Sequence, residues 1–255
     1  MSNKAYFLFS ILTAGICFAE FDARREVIKL MENSGMEKYL HAPVRVSAAG
    51  PGVLSIADEG IFAIQHELLS AEVAADPNIV IDADICIPPT VDKLALVTHG
   101  WMDKGEKDWP SRMAAAIGER VDPNEWLCAS YDWKGGSIVI TSVQAAEYAR
   151  DIAGPRLAAA IEKLGVDFKH IHLLGHSAGS WTIDSAAKQL GAADSDVVFH
   201  LTFFDAYVPE KWDPDMLAQL FEDNKQQSRV WAEQYYTKDI TWRLTQHNLK
   251  FAHNV

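Results

Sequence analysis

The chain has 255 residues, a formal net charge of −12, and 49% hydrophobic against 23% charged residues. This is ordinary globular composition, long enough for one domain with a sizeable core. No basic cluster interrupts the acidic balance, which excludes nucleic acid and anionic membrane surfaces as partners.

Met1 to Ala19 reads as a secretory signal. Lys4 gives a short basic start, Ala5 to Ile16 an apolar run, and Cys17 and Ala19 the small residues before a cut at Glu20. An uncleaved N-terminal anchor is the alternative. No other segment approaches membrane-spanning length, so no stable span is expected after signal removal. The expected location is secreted, periplasmic or extracellular. The two cysteines beyond the signal, Cys86 and Cys128, lie in strand-like runs and read either as a disulfide, which export permits, or as two buried thiols. Neither has metal-ligand spacing, and no metal or organic cofactor is implied.

Residues 20–255 read as a single domain with three parts: a strand-rich segment (20–90), a core (91–208) and a cap-like helical segment with the C-terminal end (209–255). Phe21 to Leu40 has mixed helical spacing, and Gly50-Pro51-Gly52 is a turn. Gly60 to Leu69 and Asn78 to Ile87 read as strands, the second ended by Pro88-Pro89. From residue 91 strands and helices alternate. Lys93 to His99 is a strand, Trp109 to Val121 a helix and Trp126 to Tyr131 a strand. Ser142 to Leu164 is a long helix, interrupted or kinked near Gly154-Pro155. Ile171 to Leu174 is a strand, Ala178 to Leu190 a helix and Val197 to Phe204 a strand. Apolar strands in this order predict an α/β fold, a mostly parallel, doubly wound sheet with helices on both faces. Right-handed crossovers put the strand C-termini, and the active site, along one edge.

Gly175-His176-Ser177-Ala178-Gly179 lies between a strand and a helix. A serine on such a turn is pushed out with its hydroxyl exposed, which makes Ser177 the candidate nucleophile; an ordinary Gly-rich turn is the bland alternative. Asp205 ends the next strand, where the orienting acid of a Ser…Asp…His triad belongs; a plain loop or cap aspartate is its alternative. Asp132 is a weaker competitor because it precedes the serine. His99-Gly100-Trp101 ends an earlier strand, so the N–H groups of Trp101 and Ala178 are the candidate oxyanion donors. The His99 side chain reads as structural, bonded beneath that loop.

Together these residues resemble the pancreatic-lipase-like family of α/β-hydrolases, in a bacterial-type form. His99 to Trp109 is similar to that family's oxyanion loop, and Asp132-Trp133-Lys134-Gly135-Gly136-Ser137 to its Asp-Trp-Lys-Gly-Gly-Ser segment. Gly175 to Gly179 is similar to its Gly-His-Ser-(Leu or Ala)-Gly elbow, and Phe204-Asp205 to its Leu-Asp. The similarity runs from about Leu94 to Pro209. It implies a carboxylic-ester hydrolase with a Ser-Asp-His triad, acting on a small acyl ester or a lipid. Ala206-Tyr207-Val208 replaces the family's usual Pro-Ala after the acid. With no cysteine-bounded lid and no second lipid-binding domain in view, this departure weighs against lipid-droplet activity and a colipase-type partner. Pro209 to Tyr236 reads as a helical cap over the site or as a surface helix on the sheet.

The base is the open question. His170, His172 and His200 fall at the wrong strand ends, His41 and His66 precede the core, and His176 sits inside the elbow. Only His247 and His253 follow Asp205. In the family a comparable Asn-Val begins a further strand with the histidine beyond it, so a base past Val255, with a last strand and helix also missing, is the third reading. A non-catalytic lipase-like binding protein is the competing function, and an acyltransferase would use the same residues.

Overall fold

Strands with apolar side chains on both faces need a covering layer on each side, and the middle of this chain supplies them. The computed structural model describes residues 43–50, 52–58, 78–102, 109–133, 137, 141–193, 196–222, 224–238 and 243–255. The signal-like segment, Phe21 to Leu40 and the strand expected over Gly60 to Leu69 lie outside these residues.

Among the described residues nine strands form one sheet, in the order β3-β1-β2-β5-β4-β6-β7-β8-β9. β1 (Val44–Gly50) and β2 (Val53–Asp58) pair antiparallel across the expected Gly-Pro-Gly turn. Every other pairing is parallel: β3 (Ile79–Ile81), β4 (Lys93–Thr98), β5 (Trp126–Asp132), β6 (His170–His176), β7 (Val198–Phe204), β8 (Val230–Tyr235) and β9 (His253–Asn254).

Three expectations need correction. The strand expected over Asn78 to Ile87 is confined to Ile79–Ile81, and turns follow it. The helical reading of Pro209 to Tyr236 gives way to a 3₁₀ turn (Pro214–Met216), a four-residue helix and β8. Two strands, β8 and β9, therefore follow Asp205 where the sequence suggested none. The apolar residues that imitate a helix there have another use. In β8, Ala232 and Gln234 are buried while Trp231 and Tyr235 point outward, 59% and 41% exposed.

α1 (Trp109–Gly118) lies on one face, packing on β2, β4 and β5 through Met113, Ala114 and Ile117. The opposite face carries α2 (Ser142–Tyr148), α3 (Gly154–Lys163) and α4 (Gly179–Ala193). They bury Leu94, Leu96, Leu173, Phe199, Leu201 and Phe203. Each such Leu or Phe contributes roughly 1.5–3 kcal/mol relative to exposure.

α2 starts at a capping box: Thr141 Oγ1 accepts from Gln144 N–H, and Gln144 Oε1 accepts from Thr141 N–H. The expected interruption is a π-helical turn, Ala149–Ala153, just before Gly154-Pro155. Carbonyls in this turn gain side-chain donors. Ser185 Oγ donates to Arg150 O at 2.6 Å, and the Tyr131 hydroxyl lies 3.1 Å from Ala153 O.

The same tyrosine marks a buried ion pair. Arg156 Nε and Nη2 each donate to Asp58 at 2.9 Å, and the Tyr131 hydroxyl is 2.9 Å from Asp58 Oδ2. Burial, then the Asp58 charge, pushes the Tyr131 phenol well above its ordinary range, so it stays a donor. Breaking such a pair on one side costs about 3–5 kcal/mol. The cysteines are separate thiols, Cys86 exposed and Cys128 buried. Burial raises the Cys128 thiol to about 11.

Candidate active site

A tight turn joins β6 to α4. Ser177 occupies it with φ +53°, a left-handed conformation costly for a residue with a Cβ, about 1–3 kcal/mol. The surroundings hold it there. Ser177 N–H donates to Phe204 O at 2.9 Å, its carbonyl accepts from Ser180 N–H at 3.1 Å and Tyr207 N–H at 3.3 Å, and Trp181 N–H donates to Ala178 O at 3.1 Å.

Two glycines allow the close approach. A Cβ on Gly179 would fall on the His99 carbonyl oxygen. One on Gly100 would lie 2.8 Å from both His176 O and Ser177 Cβ. The loop after β4 therefore rests directly on the elbow, with Trp101 the next residue in that loop and Ala178 buried in the elbow.

That loop is propped from below. His99 stacks on Trp133 with ring centroids 5.2 Å apart. Its Nε2 lies 2.9 Å from Asp132 Oδ1 and 3.2 Å from Trp133 N, and its Nδ1 lies 3.0 Å from Gly100 O. Trp133 Nε1–H donates to His99 O, and Met102 N–H to Ser137 O. Sequence reasoning anticipated His99 as a prop. It treated Asp132 only as a rival acid, whereas the structure pairs it with that prop.

Asp205 stands at the end of β7, level with Ser177 because His176 pairs with Phe204. Its φ is +47°, and its N–H donates to Tyr235 O at 2.8 Å. Thr237 holds the carboxylate: its N–H is 2.6 Å and its hydroxyl 3.0 Å from Oδ1. Sequence reasoning missed Thr237, because nothing local ties it to an aspartate 32 residues earlier.

The histidines after Asp205 are not brought to it. His253 lies on β9 level with Glu233, which is level with Thr202 and Leu174. By strand spacing and rise it starts about 14 Å sideways and about 10 Å below Ser177. The His247 carbonyl accepts from Gln234 Nε2 at 2.6 Å, and its Nε2 is buried without a hydrogen-bond partner among the described residues. β9 runs parallel to β8, so its chain direction is toward the edge that holds Ser177 and Asp205.

Beside the elbow lies a cavity of about 470 Å³, lined by Trp101, Trp109, Met113, His176 and Phe204. Trp109 meets the His176 ring edge-on, centroids 6.0 Å apart. At the opposite strand ends His170, His172 and His200 form a separate cluster, away from the serine. Among the described residues no group of three or more His, Cys, Asp or Glu is placed to hold a metal ion.

Residues 85–227, β4 through the elbow and Asp205 into the segment before β8, match the family model described as Lipase. The chain belongs to the Lipase family. Its nine-stranded, mostly parallel sheet with helices is the α/β-hydrolase architecture of that family. Pig pancreatic triacylglycerol lipase is 29% identical over 153 residues, 58% of this chain and 31% of that protein. Mouse pancreatic triacylglycerol lipase is 36% identical over 101 residues, 38% and 21% of the two chains. Pig pancreatic lipase-related protein 2 is 32% identical over 103 residues, 39% and 21%. The matched stretches thus span less than a third of these relatives. All three are mammalian, and they give no support to the bacterial-type form suggested by the sequence. The Lipase match includes Ser177 and Asp205 but ends before His247 and His253.

Proposed function

We propose that this Lipase-family chain is a serine carboxylic-ester hydrolase that forms an acyl-enzyme on Ser177. The observation that carries this reading is Ser177 held at positive φ between β6 and α4, with Asp205 at the end of the adjoining strand. Ser177 Oγ attacks the ester carbonyl and gives up its proton to a base. The N–H groups of Trp101 and Ala178 hold the tetrahedral oxyanion. The proton returns to the leaving alcohol, and water then cleaves the acyl-enzyme by the same route. Asp205 orients that base; none of the described histidines is hydrogen-bonded to Asp205, and none of them is assigned the part. The proposed substrates are acyl esters, including glycerol lipids of the class in the relatives' names. The test is hydrolysis of p-nitrophenyl esters. Wild type is expected to turn over, with Ser177→Ala reduced to background; equal rates for the two proteins would refute the reading.

Export is part of the proposal and rests on Met1 to Ala19. The mature protein would be a single domain beginning at Glu20, which N-terminal sequencing of secreted material checks. The second reading, a lipase-like binding protein without turnover, has one observation in its favour. Among the described residues no histidine is hydrogen-bonded to Asp205. It predicts ester binding with no Ser177 acylation.

A further inference from the structure

Two backbone bonds tie Ser177 to the strip that carries Asp205. Ser177 N–H donates to Phe204 O at 2.9 Å, and Ser177 O accepts from Tyr207 N–H at 3.3 Å. Phe204 comes one residue before Asp205 and Tyr207 two after it, so the pair brackets the acid. Ser177 and Asp205 both hold positive φ, +53° and +47°, a conformation that persists only where the surroundings enforce it. The two brackets are built differently. Phe204 is fixed by the β6–β7 ladder, where it pairs with His176. Tyr207 lies beyond the last residue of β7, in the stretch that departs from the family's usual Pro-Ala.

Two helices hold Tyr207 instead. Trp181 Nε1–H, in the first turn of α4, donates to Tyr207 O at 2.7 Å. Ser142 Oγ, on the first residue of α2, donates to the Tyr207 hydroxyl at 2.8 Å from 65 residues earlier in the chain. Tyr207 and Trp181 are both buried, so water competes little for these bonds. Trp212 meets the Trp181 indole edge-on, centroids 4.5 Å apart, and the capping box fixes the start of α2 that carries Ser142. Each tether of Tyr207 is therefore itself held.

We infer that Tyr207 is a positioning residue. Through its hydroxyl on Ser142, its carbonyl on Trp181 and its N–H on Ser177, it clamps the turn that bears Asp205 against the elbow that bears Ser177. The inference rests on Ser177 and Asp205 acting as proposed above. Misplacing a reacting group by about 1 Å costs on the order of 10²-fold in rate, so loosening one tether of the clamp costs less than that.

The test combines steady-state hydrolysis of p-nitrophenyl acetate with amide hydrogen exchange read by NMR. Tyr207→Phe keeps the ring and removes the hydroxyl, and Ser142→Ala removes its partner. Each is expected to lower kcat about three- to tenfold at unchanged KM. The double variant should be no slower than the slower single one, because both remove the same bond. Ser142→Thr should recover the rate. Ser185→Ala removes a comparable hydroxyl bond, to Arg150 O, that has no part in the clamp, and should leave kcat within about twofold of wild type. In Tyr207→Phe the amides at positions 177 and 207 should exchange severalfold faster. Wild-type kcat in Tyr207→Phe, additive losses in the double variant, or equal slowing by Ser185→Ala overturns the inference. A wild type that never acylates Ser177 sinks the enzyme reading instead, and exchange then decides alone. Faster exchange at the two amides upholds the clamp, and unchanged exchange overturns it.

Discussion

Thr237 donates two hydrogen bonds to the same oxygen of Asp205, from its N–H at 2.6 Å and its hydroxyl at 3.0 Å. Both bonds fix the carboxylate plane from the Oδ1 side. Among the described residues Oδ2 takes no hydrogen bond. Thr237→Val keeps the N–H and loses the hydroxyl. It is expected to slow fluorophosphonate labelling of Ser177 by about three- to tenfold, for one hydrogen bond to a charged group loosened at an exposed site. Thr237→Ser should recover the rate, and the melting temperature should hardly move. A wild-type rate in Thr237→Val would mean that Asp205 is not positioned from this side.

His247→Ala and His253→Ala are each expected to leave Ser177 labelling within about twofold of wild type, since neither ring is bonded to Asp205. Loss of two or more orders of magnitude in either variant would identify that histidine as the base and require a rearrangement of the C-terminal segment.

Gly100→Ala separates reactivity from folding. Its Cβ would stand 2.8 Å from Ser177 Cβ, so the oxyanion loop must retreat from the elbow. Losing one oxyanion donor costs about 10²–10³ in rate. The expected result is a loss of that order in ester hydrolysis by a protein with a native circular dichroism spectrum. Full activity would show that the Trp101 N–H does not serve the oxyanion.

Acid should loosen the sheet before it titrates the carboxylates. His172 and His200 stack with centroids 3.7 Å apart, and His172 Nε2 lies 2.9 Å from Thr202 Oγ1. His200 Nε2 lies 3.3 Å from Glu233 Oε1 but is not aligned for a hydrogen bond. Burial, then the neighbouring histidine charges, lowers His172 to about 3; burial likewise lowers His170 and His200, the latter opposed by Glu233. Between the ordinary value of 6.5 and about 3, the unfolded chain binds the His172 proton and the folded chain does not. Stability is therefore full above pH 6.5 and falls as pH drops through this window, by at most about 1.4 kcal/mol per pH unit for each such histidine. Urea midpoints measured from pH 7 to pH 4 should fall less steeply in His172→Gln than in wild type. Parallel slopes would remove His172 as the cause.

Some of this architecture is written in adjacent residues. The elbow is legible because a serine at positive φ needs small neighbours within two residues. The inner strands are legible because unbroken apolar runs suit a sheet buried on both faces. β8 hides because its pattern is inverted: Trp231 and Tyr235 face outward while Ala232 and Gln234 pack inward, so its aromatics imitate a helix stripe. The supports of the site hide for another reason. His99 meets Asp132 from 33 residues away, and Thr237 meets Asp205 from 32. Such pairs exist only once parallel strands set their ends level.

The central claim is that Ser177 is an activated nucleophile, and covalent labelling tests it most directly. Wild-type chain and Ser177→Ala are treated with a fluorophosphonate in the native state and after unfolding, and the adduct is located by peptide mass spectrometry. The account predicts one adduct, on Ser177, formed by native wild type and absent from both Ser177→Ala and the unfolded chain. An unlabelled native wild type, or equal labelling of Ser177→Ala, would contradict it.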